Sequence, residues 1–289
     1  MSIGFDSDCL QCHLRRNLEL VRSLGSEEQT MAFARDLLRL YLDAPAEVSS
    51  PWFAPQTAQL LHDHYGLPLD RFEKEKEDSN RFVLERLELL RRKVETARDP
   101  VLAGLKLAIA GNYLDFSALQ GRVSFDDFDK MLDEADQMEL EEGVYRRFLG
   151  ELERGGSLLY LTDNAGEIGF DRIFAETLAK RYPCVSITFC VRGGPALNDA
   201  TREDAQAVGI PFPVIDNGNQ IPGTQLDKIG PEAHAALRSA DVIFAKGMAN
   251  AETMLGCGYN VYYAFLVKCQ RFVRRFGKPL MSPILAAER

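Results

Sequence analysis

The pattern of hydrophobic and polar positions divides the chain into a helical first half and an alternating second half. In the first half, apolar residues recur every three or four positions, which is typical of amphipathic helices. Between residues 150 and 156 this period ends, and short apolar runs then alternate with helical segments. We therefore predict an α-helical domain at residues 1–150 and a second domain at residues 151–289. Helices of the first domain are expected at residues 10–24, 27–42, 82–97, 101–112 and 125–149.

The second half has the strand and helix spacing of a parallel sheet. Strands are expected at residues 157–162, 185–191, 212–216, 241–245 and 261–267. Helices are expected between them, at about residues 168–181, 201–208 and 231–239. Parallel strands joined by helices need right-handed crossovers, so this pattern predicts an α/β fold with a parallel sheet. Residues 271–289 are basic and then apolar, and the pattern assigns them no element.

The first predicted strand ends in a polar turn that offers metal ligands. Asp163 and Asn164 follow the apolar run directly, and Gly166 and Glu167 lead into the next helix. In an open α/β sheet, ligands bind at the carboxyl ends of the strands. Carboxylate and amide oxygens favour a hard divalent cation, while a helix N-terminus favours an anion. A site that accepts both suggests a phosphorylated substrate bound through a metal.

Two further strand ends carry similar chemistry. Each turn contains glycine, an amide, an acidic residue and a cation, and the two turns supply Arg192, Gly193, Gly194, Asn198, Asp199, Lys246, Asn250 and Glu252. Because carboxyl ends of parallel strands share one edge of the sheet, we expect all three turns to face one cleft. Each turn alone could simply form an Asx-turn or cap a helix. Three such turns at three strand ends favour a common functional site.

Composition narrows the range of partners. The chain of 289 residues has a formal charge of −9 and is 46% hydrophobic. Such an acidic protein is not expected to bind nucleic acid or an anionic membrane. No apolar run has the length of a membrane span or of a signal-peptide core, so we expect a cytoplasmic location. The oligomeric state is left open.

The motifs together resemble the damage-control phosphatase family. They are DNAGEIGFD, VRGGPALNDAT and KGMANAE, with AGNYLDF at residues 110–116 and an early Cys-x-x-Cys that resembles the prokaryotic stand-alone branch. The resemblance implies a Rossmann-like three-layer αβα domain, preceded by helices, that hydrolyses small phosphate esters such as sugar phosphates or damaged phosphometabolites. It implies a divalent cofactor (Mn, Co, Ni or Mg) held by Asp163, Asn164 and Asp199, and it places the motif lysine at Lys246.

On this basis we assign the remaining roles as hypotheses. Lys246 and Arg192 would neutralise the transferring phosphoryl group, and backbone N–H groups at Gly166, Gly193 and Gly194 would complete a phosphate cradle. Either Glu167 or Asp115 would orient the attacking water. Asn112 and Asp115 are three residues apart and would share a helix face, although this segment could simply be a helix end.

Other activities fit the turns less well. A haloacid-dehalogenase-type phosphatase needs an acidic residue two positions after its nucleophile, and that position is Ala165. No G-x-G-x-x-G follows the first strand, which disfavours dinucleotide binding. A non-catalytic metal- or phospholigand-binding protein stays an alternative, as does the protein carboxyl methyltransferase activity once proposed for the family.

The Cys9-x-x-Cys12-His13 segment lies far in sequence from the three strand-end turns. Its spacing matches covalent haem attachment, but that chemistry generally needs an export route. Two thiols one helical turn apart could also share a metal or act as a redox pair. Plain packing is the simplest interpretation of both cysteines.

Overall fold

The computed structural model describes residues 3–114 and 128–288. Within these ranges the first half is helical up to residue 152, with a short 3₁₀ turn before α3 and another after α6. Its elements are α1 (Ser7–Val21), α2 (Glu27–Asp43), η1 (Ser50–Trp52), α3 (Phe53–Tyr65), α4 (Glu73–Leu84), α5 (Leu87–Glu95), α6 (Pro100–Ala110), η2 (Gly111–Leu114), α7 (Phe128–Gln137) and α8 (Glu142–Leu152).

Strands and helices alternate in the second half, as the sequence pattern predicts. The elements are β1 (Gly156–Leu161), α9 (Glu167–Arg181), β2 (Val185–Val191), α10 (Arg202–Ala207), β3 (Val214–Asp216), α11 (Pro231–Ser239), β4 (Val242–Lys246), α12 (Gly247–Met254), β5 (Val261–Leu266), α13 (Gln270–Phe276) and β6 (Pro283–Ala287). None of the helices in the described ranges is both long enough and apolar enough to cross a bilayer.

One six-stranded sheet joins these strands in the order β3-β2-β1-β4-β5-β6. The first five are parallel, and β6 pairs antiparallel with β5. Strand β1 lies in the middle, where Leu158 pairs with Ile187 on one side and with Val242 on the other. The structure therefore confirms the predicted α/β fold with a mostly parallel sheet. Because β1, β2 and β4 are neighbours, their carboxyl ends lie side by side at one edge.

Helices cover both faces of the sheet, which gives three layers. Leu158 and Tyr160 of β1 point into a core shared with α5, α6, α8 and α9. The alternate residues Leu159 and Leu161 point into a second core with α11, α12 and α13. Helices of the first half thus pack directly on the sheet, while α1, α2 and α3 have a smaller core of their own. A domain boundary near residue 150 stays a prediction.

Several elements differ from the sequence-based expectation. The helix expected at 82–97 is two helices, because the chain bends between α4 and α5 and both pack against α9. Within its described part, the expected helix at 125–149 is also divided, into α7 and α8. The segment 247–254, interpreted as a turn, is the helix α12: Lys246 is extended and Gly247 has φ of +79°, so the chain enters the helix abruptly. In the C-terminal stretch that the pattern left unassigned, residues up to 276 complete α13 and residues 283–287 form β6.

Candidate active site

The turns after β1 and β2 meet through their backbones. Asn164 and Asp199 form an isolated antiparallel bridge, and the Ala200 N–H donates to the Asp163 carbonyl oxygen at 2.7 Å. The side chains of Asp163, Asn164 and Asp199 are all at least 95% buried. The three residues proposed as metal ligands therefore lie side by side, although two of them are 35 or more positions from the third in sequence.

Two amides are oriented by two carboxylates beside this bridge. The Asn164 Nδ2 group donates to Asp163 Oδ2 at 2.9 Å and to Glu167 Oε2 at 2.8 Å. The Asn112 Nδ2 group donates to the same two oxygens, each at 2.9 Å. Since both carboxylates need donors, the amide nitrogens face them and the Asn164 Oδ1 atom is turned away. This arrangement presents a neutral oxygen of Asn164 as a possible metal ligand.

Lys246 is completely buried beneath these groups. Its Nζ donates to Glu167 Oε1 at 2.7 Å, to Asp171 Oδ1 at 2.6 Å and to the Ala108 carbonyl oxygen at 2.8 Å. Burial disfavours the charge, but Asp171 and Glu167 hold the pKa of Lys246 above its ordinary value. An ammonium has three donors. Direct contact with a phosphoryl group would therefore require one of these three bonds to open.

Glu167 is equally enclosed. One carboxylate oxygen accepts from Lys246 and the other from the two amides, and the side chain is fully buried. In this position Glu167 orients Asn164 and Asn112. The other residue proposed to orient a water, Asp115, lies outside the described residues.

Arg192 is buried against the second turn. Its Nε donates to Asp199 Oδ2 at 2.6 Å and its Nη2 to the Thr162 carbonyl oxygen at 2.9 Å. Within the described part of the chain, its buried Nη1 atom has no hydrogen-bond partner. The guanidinium thus positions Asp199 and keeps one nitrogen with which it can still donate.

Two of the three glycine N–H groups proposed for the phosphate cradle are engaged inside the protein. Gly166 N donates to Asn80 Oδ1 at 2.7 Å, and Gly193 N donates to Asn219 O at 2.9 Å. Both glycines permit close approach: a Cβ atom at Gly166 would lie 2.7 Å from Ser79, and one at Gly193 would lie 2.6 Å from the Asn219 nitrogen. Gly194 packs against the Gln220 side chain. These glycines let neighbouring segments reach the turns.

Three more predicted site residues, Asn198, Asn250 and Glu252, occupy different places around the Asn164–Asp199 bridge. Asn250 donates to the carbonyl oxygens of Thr162 and Lys246, at 2.9 and 2.7 Å, and so ties the ends of β1 and β4 together. Asn198 is buried, and its carbonyl oxygen accepts from Ala165 N at 2.9 Å. Glu252 lies elsewhere on α12.

The environment of Glu252 is set by other charges. Burial raises its pKa to about 7, against the attraction of Arg271 and with repulsion from Asp6. Its carbonyl oxygen accepts from Ile3 N at 2.9 Å. Glu252 therefore joins α12 to the N-terminal segment through its carbonyl oxygen and interacts electrostatically with Arg271 of α13.

The donor set fits a divalent cation by charge. We define the buried charge cluster as Asp163, Glu167, Asp171, Arg192, Asp199 and Lys246, each at least 95% buried. Its four carboxyl groups outnumber its two cations, and a bound divalent cation would offset the cost of burying carboxylate charge. Among residues 3–114 and 128–288, no three or more His, Cys, Asp or Glu side chains are grouped so that they could hold a metal. The proposed ligands Asp163, Asn164 and Asp199 do not form a group of that kind, because one of the three is an amide.

Comparison with known proteins adds an independent observation. The family model of the damage-control phosphatase ARMT1-like domain matches residues 5–283, which is nearly the whole chain. The chain belongs to this family. The match confirms the resemblance carried by the three strand-end motifs.

Archaeal proteins are similar to this chain, and two of them are named damage-control phosphatases. The chain is 32% identical to a damage-control phosphatase of Archaeoglobus fulgidus, with 72% of each chain covered. It is 33% identical to a damage-control phosphatase of Pyrococcus horikoshii, with 61% of each covered. An uncharacterized protein of Methanocaldococcus jannaschii is 28% identical and matches 98% of this chain and 95% of its own length.

A solved structure shows that the fold is shared along the whole chain. The crystal structure of a DUF89 family protein from Pyrococcus horikoshii superposes with a TM-score of 0.84 and covers 99% of both chains. Its sequence identity is 23%, so this likeness concerns the fold alone.

Sequence reasoning missed a helix that holds two of the family's motifs together in this chain. Asn80 on α4 accepts from Gly166 N in the first motif and donates to Asp204 Oδ1 at 2.8 Å, just after the second. Lys76, one turn earlier, pairs with Asp204 Oδ2 at 2.8 Å. All of these side chains are buried. The sequence signal, polar residues on the apolar face of α4, is visible only once that face is known.

We expect Asn80→Ala to destabilise the protein by about 2 kcal/mol or more, because it leaves the Gly166 N–H and an Asp204 oxygen without this partner in a buried place. Urea unfolding of the variant and the wild type measures the difference. Gln59→Ala is the matched control, since Gln59 makes an exposed contact with Asp63 within one helix. A loss below about 0.5 kcal/mol for Asn80→Ala, equal to that of an exposed helix pair, would contradict the assigned role.

Two more missed groups border the site. Asn217, after β3, accepts from Gly193 N at 3.0 Å and donates to Gly223 O at 3.2 Å, while Thr224 donates to Asn250 Oδ1 at 2.8 Å. At the end of β5, the half-buried Lys268 donates to the Asn112 carbonyl oxygen at 2.5 Å. The segments after β3 and β5 thus reach the same edge of the sheet as the three predicted turns.

The Cys-x-x-Cys segment lies in the first turns of α1. Arg271 of α13 donates to Cys9 Sγ at 3.2 Å, and burial raises the pKa of Cys9 to about 11. Cys12 is half-buried. The Cys9 thiol therefore stays protonated near neutral pH and helps to fasten the N-terminal segment onto α13.

Proposed function

We propose that this chain is a metal-dependent phosphatase that hydrolyses small phosphorylated metabolites. The observation that carries the proposal is the meeting of Asp163, Asn164 and Asp199 inside a buried cluster in which carboxyl groups outnumber cations. A divalent cation would balance these charges, and carboxylate and amide oxygens are ligands that such ions prefer. The names of the Archaeoglobus and Pyrococcus relatives support phosphatase chemistry.

Asp163, Asn164 and Asp199 would hold the cation. When bound, a divalent ion such as Mn²⁺, Co²⁺, Ni²⁺ or Mg²⁺ supplies a Lewis acid that polarises a phosphoryl oxygen and lowers the pKa of water. Glu167 and Asn112 keep the ligand amide and carboxylate in place, and their burial excludes bulk solvent from that side. Rigid placement of this kind accounts for much of the catalysis in phosphoryl transfer.

Two cations of the site are suited to the phosphate group itself. The Arg192 Nη1 atom has no partner in the described ranges, so it can donate to an anionic oxygen without breaking a bond. Lys268 lies at the same edge, half-buried and next to Asn112. A fixed guanidinium and a flexible ammonium are complementary phosphate donors. We assign direct charge neutralisation to these two groups, with Lys246 acting through Glu167 and Asp171.

Phosphate release with metals added in turn tests the proposal. The protein, stripped with a chelator, would receive Mn²⁺, Co²⁺, Ni²⁺ or Mg²⁺ and a panel of sugar phosphates and phosphopantetheine. We expect release with at least one metal and none with the chelator alone. Equal release in chelator would contradict metal dependence. Silence with every metal, together with a rise in melting temperature on adding a phosphate ester, would favour the non-catalytic binder.

A further inference from the structure

Asp171 is a buried carboxylate that lies outside the proposed ligand set and is connected to it by hydrogen bonds. Its Oδ1 atom accepts from Lys246 Nζ at 2.6 Å and from the Tyr160 hydroxyl at 2.8 Å. Lys246 also binds Glu167, whose other oxygen accepts from Asn164 Nδ2. A continuous chain of charged and polar contacts therefore runs from Asp171 to a proposed metal ligand.

Because Asp171 is buried, its charge can influence the proposed metal ligands through this chain of contacts. The side chains of Asp171, Lys246 and Glu167 have no exposed surface. Charges in such a place are screened much less than surface charges. The second oxygen of Asp171, Oδ2, has no hydrogen-bond partner among the described residues. Burial raises the pKa of Asp171 to about 7. Above that pH its negative charge is only partly compensated, because it shares one lysine with Glu167.

We propose that Asp171 sets the affinity of the site for its divalent cation by dividing the charge of Lys246 with Glu167. With Asp171 in place and ionised, Lys246 compensates Glu167 only in part, and the cluster keeps more of the negative charge that favours a divalent ion. Without it, the whole charge of Lys246 falls on Glu167, and the site loses one negative charge. Asp171 is thus a positioning residue, and its role depends on the proposed metal-dependent function.

A purely structural role makes a different prediction. If Asp171 only anchored Lys246 in the core, its replacement would lower stability and leave cation affinity unchanged. Stability alone cannot separate the two roles, because removing one partner of a buried ion pair is destabilising in either case. The affinity for the cation separates them.

Calorimetric titration of the full chain with Mn²⁺ provides the test. It is carried out above the pKa of about 7 that burial gives Asp171, so that this side chain is ionised. For Asp171→Asn we expect a dissociation constant raised by about tenfold or more, because a unit charge is lost near a divalent ion in a medium of low polarity. Tyr160→Phe is the matched control: it removes the other hydrogen bond to Asp171 and keeps every charge, so its constant should stay within about twofold of wild type.

A double variant tests the same charge in a second way. Asp171→Asn combined with Lys246→Met restores the wild-type net charge of the cluster, at a cost in stability because Glu167 loses its ammonium partner. We expect it to recover most of the lost affinity. Wild-type affinity in folded Asp171→Asn, or a double variant that binds no more tightly than Asp171→Asn, would overturn the inference. Failure of the wild type itself to bind Mn²⁺ or any other tested divalent ion would instead contradict the proposed function.

Discussion

Asp163→Ala is expected to abolish metal-stimulated phosphate release while leaving the fold intact. Asp163 supplies one of two proposed carboxylate ligands, and a catalytic metal contributes several kcal/mol to the transition state, which corresponds to a loss of about a thousandfold in kcat/KM. The fold should persist, because Glu167 still accepts from both amides that Asp163 contacts. Phosphate release and far-ultraviolet circular dichroism measure the two effects.

The melting temperature gives a second signature of the same variant. A divalent cation that binds only the folded state raises the melting temperature of the wild type. Asp163→Ala should lose that rise, because it lacks one of the ligands. Asp216→Asn is the matched control, since Asp216 ends β3 at the same sheet edge but pairs with Arg202 near the surface. It should retain activity and the metal-dependent rise. Substantial metal-dependent activity in Asp163→Ala would refute its assignment as a ligand.

The convergence of the strand ends could be predicted from sequence for a simple reason. Parallel strands joined by helices all end at one edge, so Asp163, Asp199 and Lys246 had to approach one another once the βαβ pattern was recognised. The bridge between Asn164 and Asp199 is the direct consequence. The local pattern and the topology therefore suffice to predict which turns meet at the sheet edge.

What each side chain contacts could not be predicted in the same way. The Gly166 N–H is directed at Asn80, from a helix 86 positions earlier, and Lys246 is enclosed by Ala108 of another helix of the first half. Such contacts depend on how α4 and α6 pack on the sheet, which a hydrophobic period does not specify. Leu197, just before Asn198, has a positive φ of 56°, and nothing in its residue type indicates it.

The α12 helix illustrates how a short motif was misassigned. Gly in a lysine–glycine pair after a strand favours a turn by local preference. Here Gly247 is instead the first residue of α12, and it lies directly against the Asp163 carboxylate. The contact is long-range, so sequence alone could identify the glycine but not its neighbour.

Gly247→Ala is therefore expected to damage the site more than an ordinary glycine substitution. A Cβ atom at this position would lie 2.1 to 2.4 Å from the carboxylate atoms of Asp163, and the residue has φ of +79°. The Asp163 side chain must move away, and we expect kcat/KM to fall by about a hundredfold or more, as displacement of about 1 Å at a reacting centre does. Steady-state phosphate release and Mn²⁺ titration measure the loss.

Gly258→Ala separates this clash from backbone strain. Gly258 has φ of +80°, yet a Cβ atom there would meet no atom of the described residues within 4 Å. It should lose about 1–2 kcal/mol of stability from the left-handed conformation and keep its activity. If the clash with Asp163 is the cause, the stability cost of Gly247→Ala should shrink in an Asp163→Ala background, because the colliding carboxylate is gone. Equal costs in both backgrounds, or equal activity losses at the two glycines, would show that strain alone explains the effect.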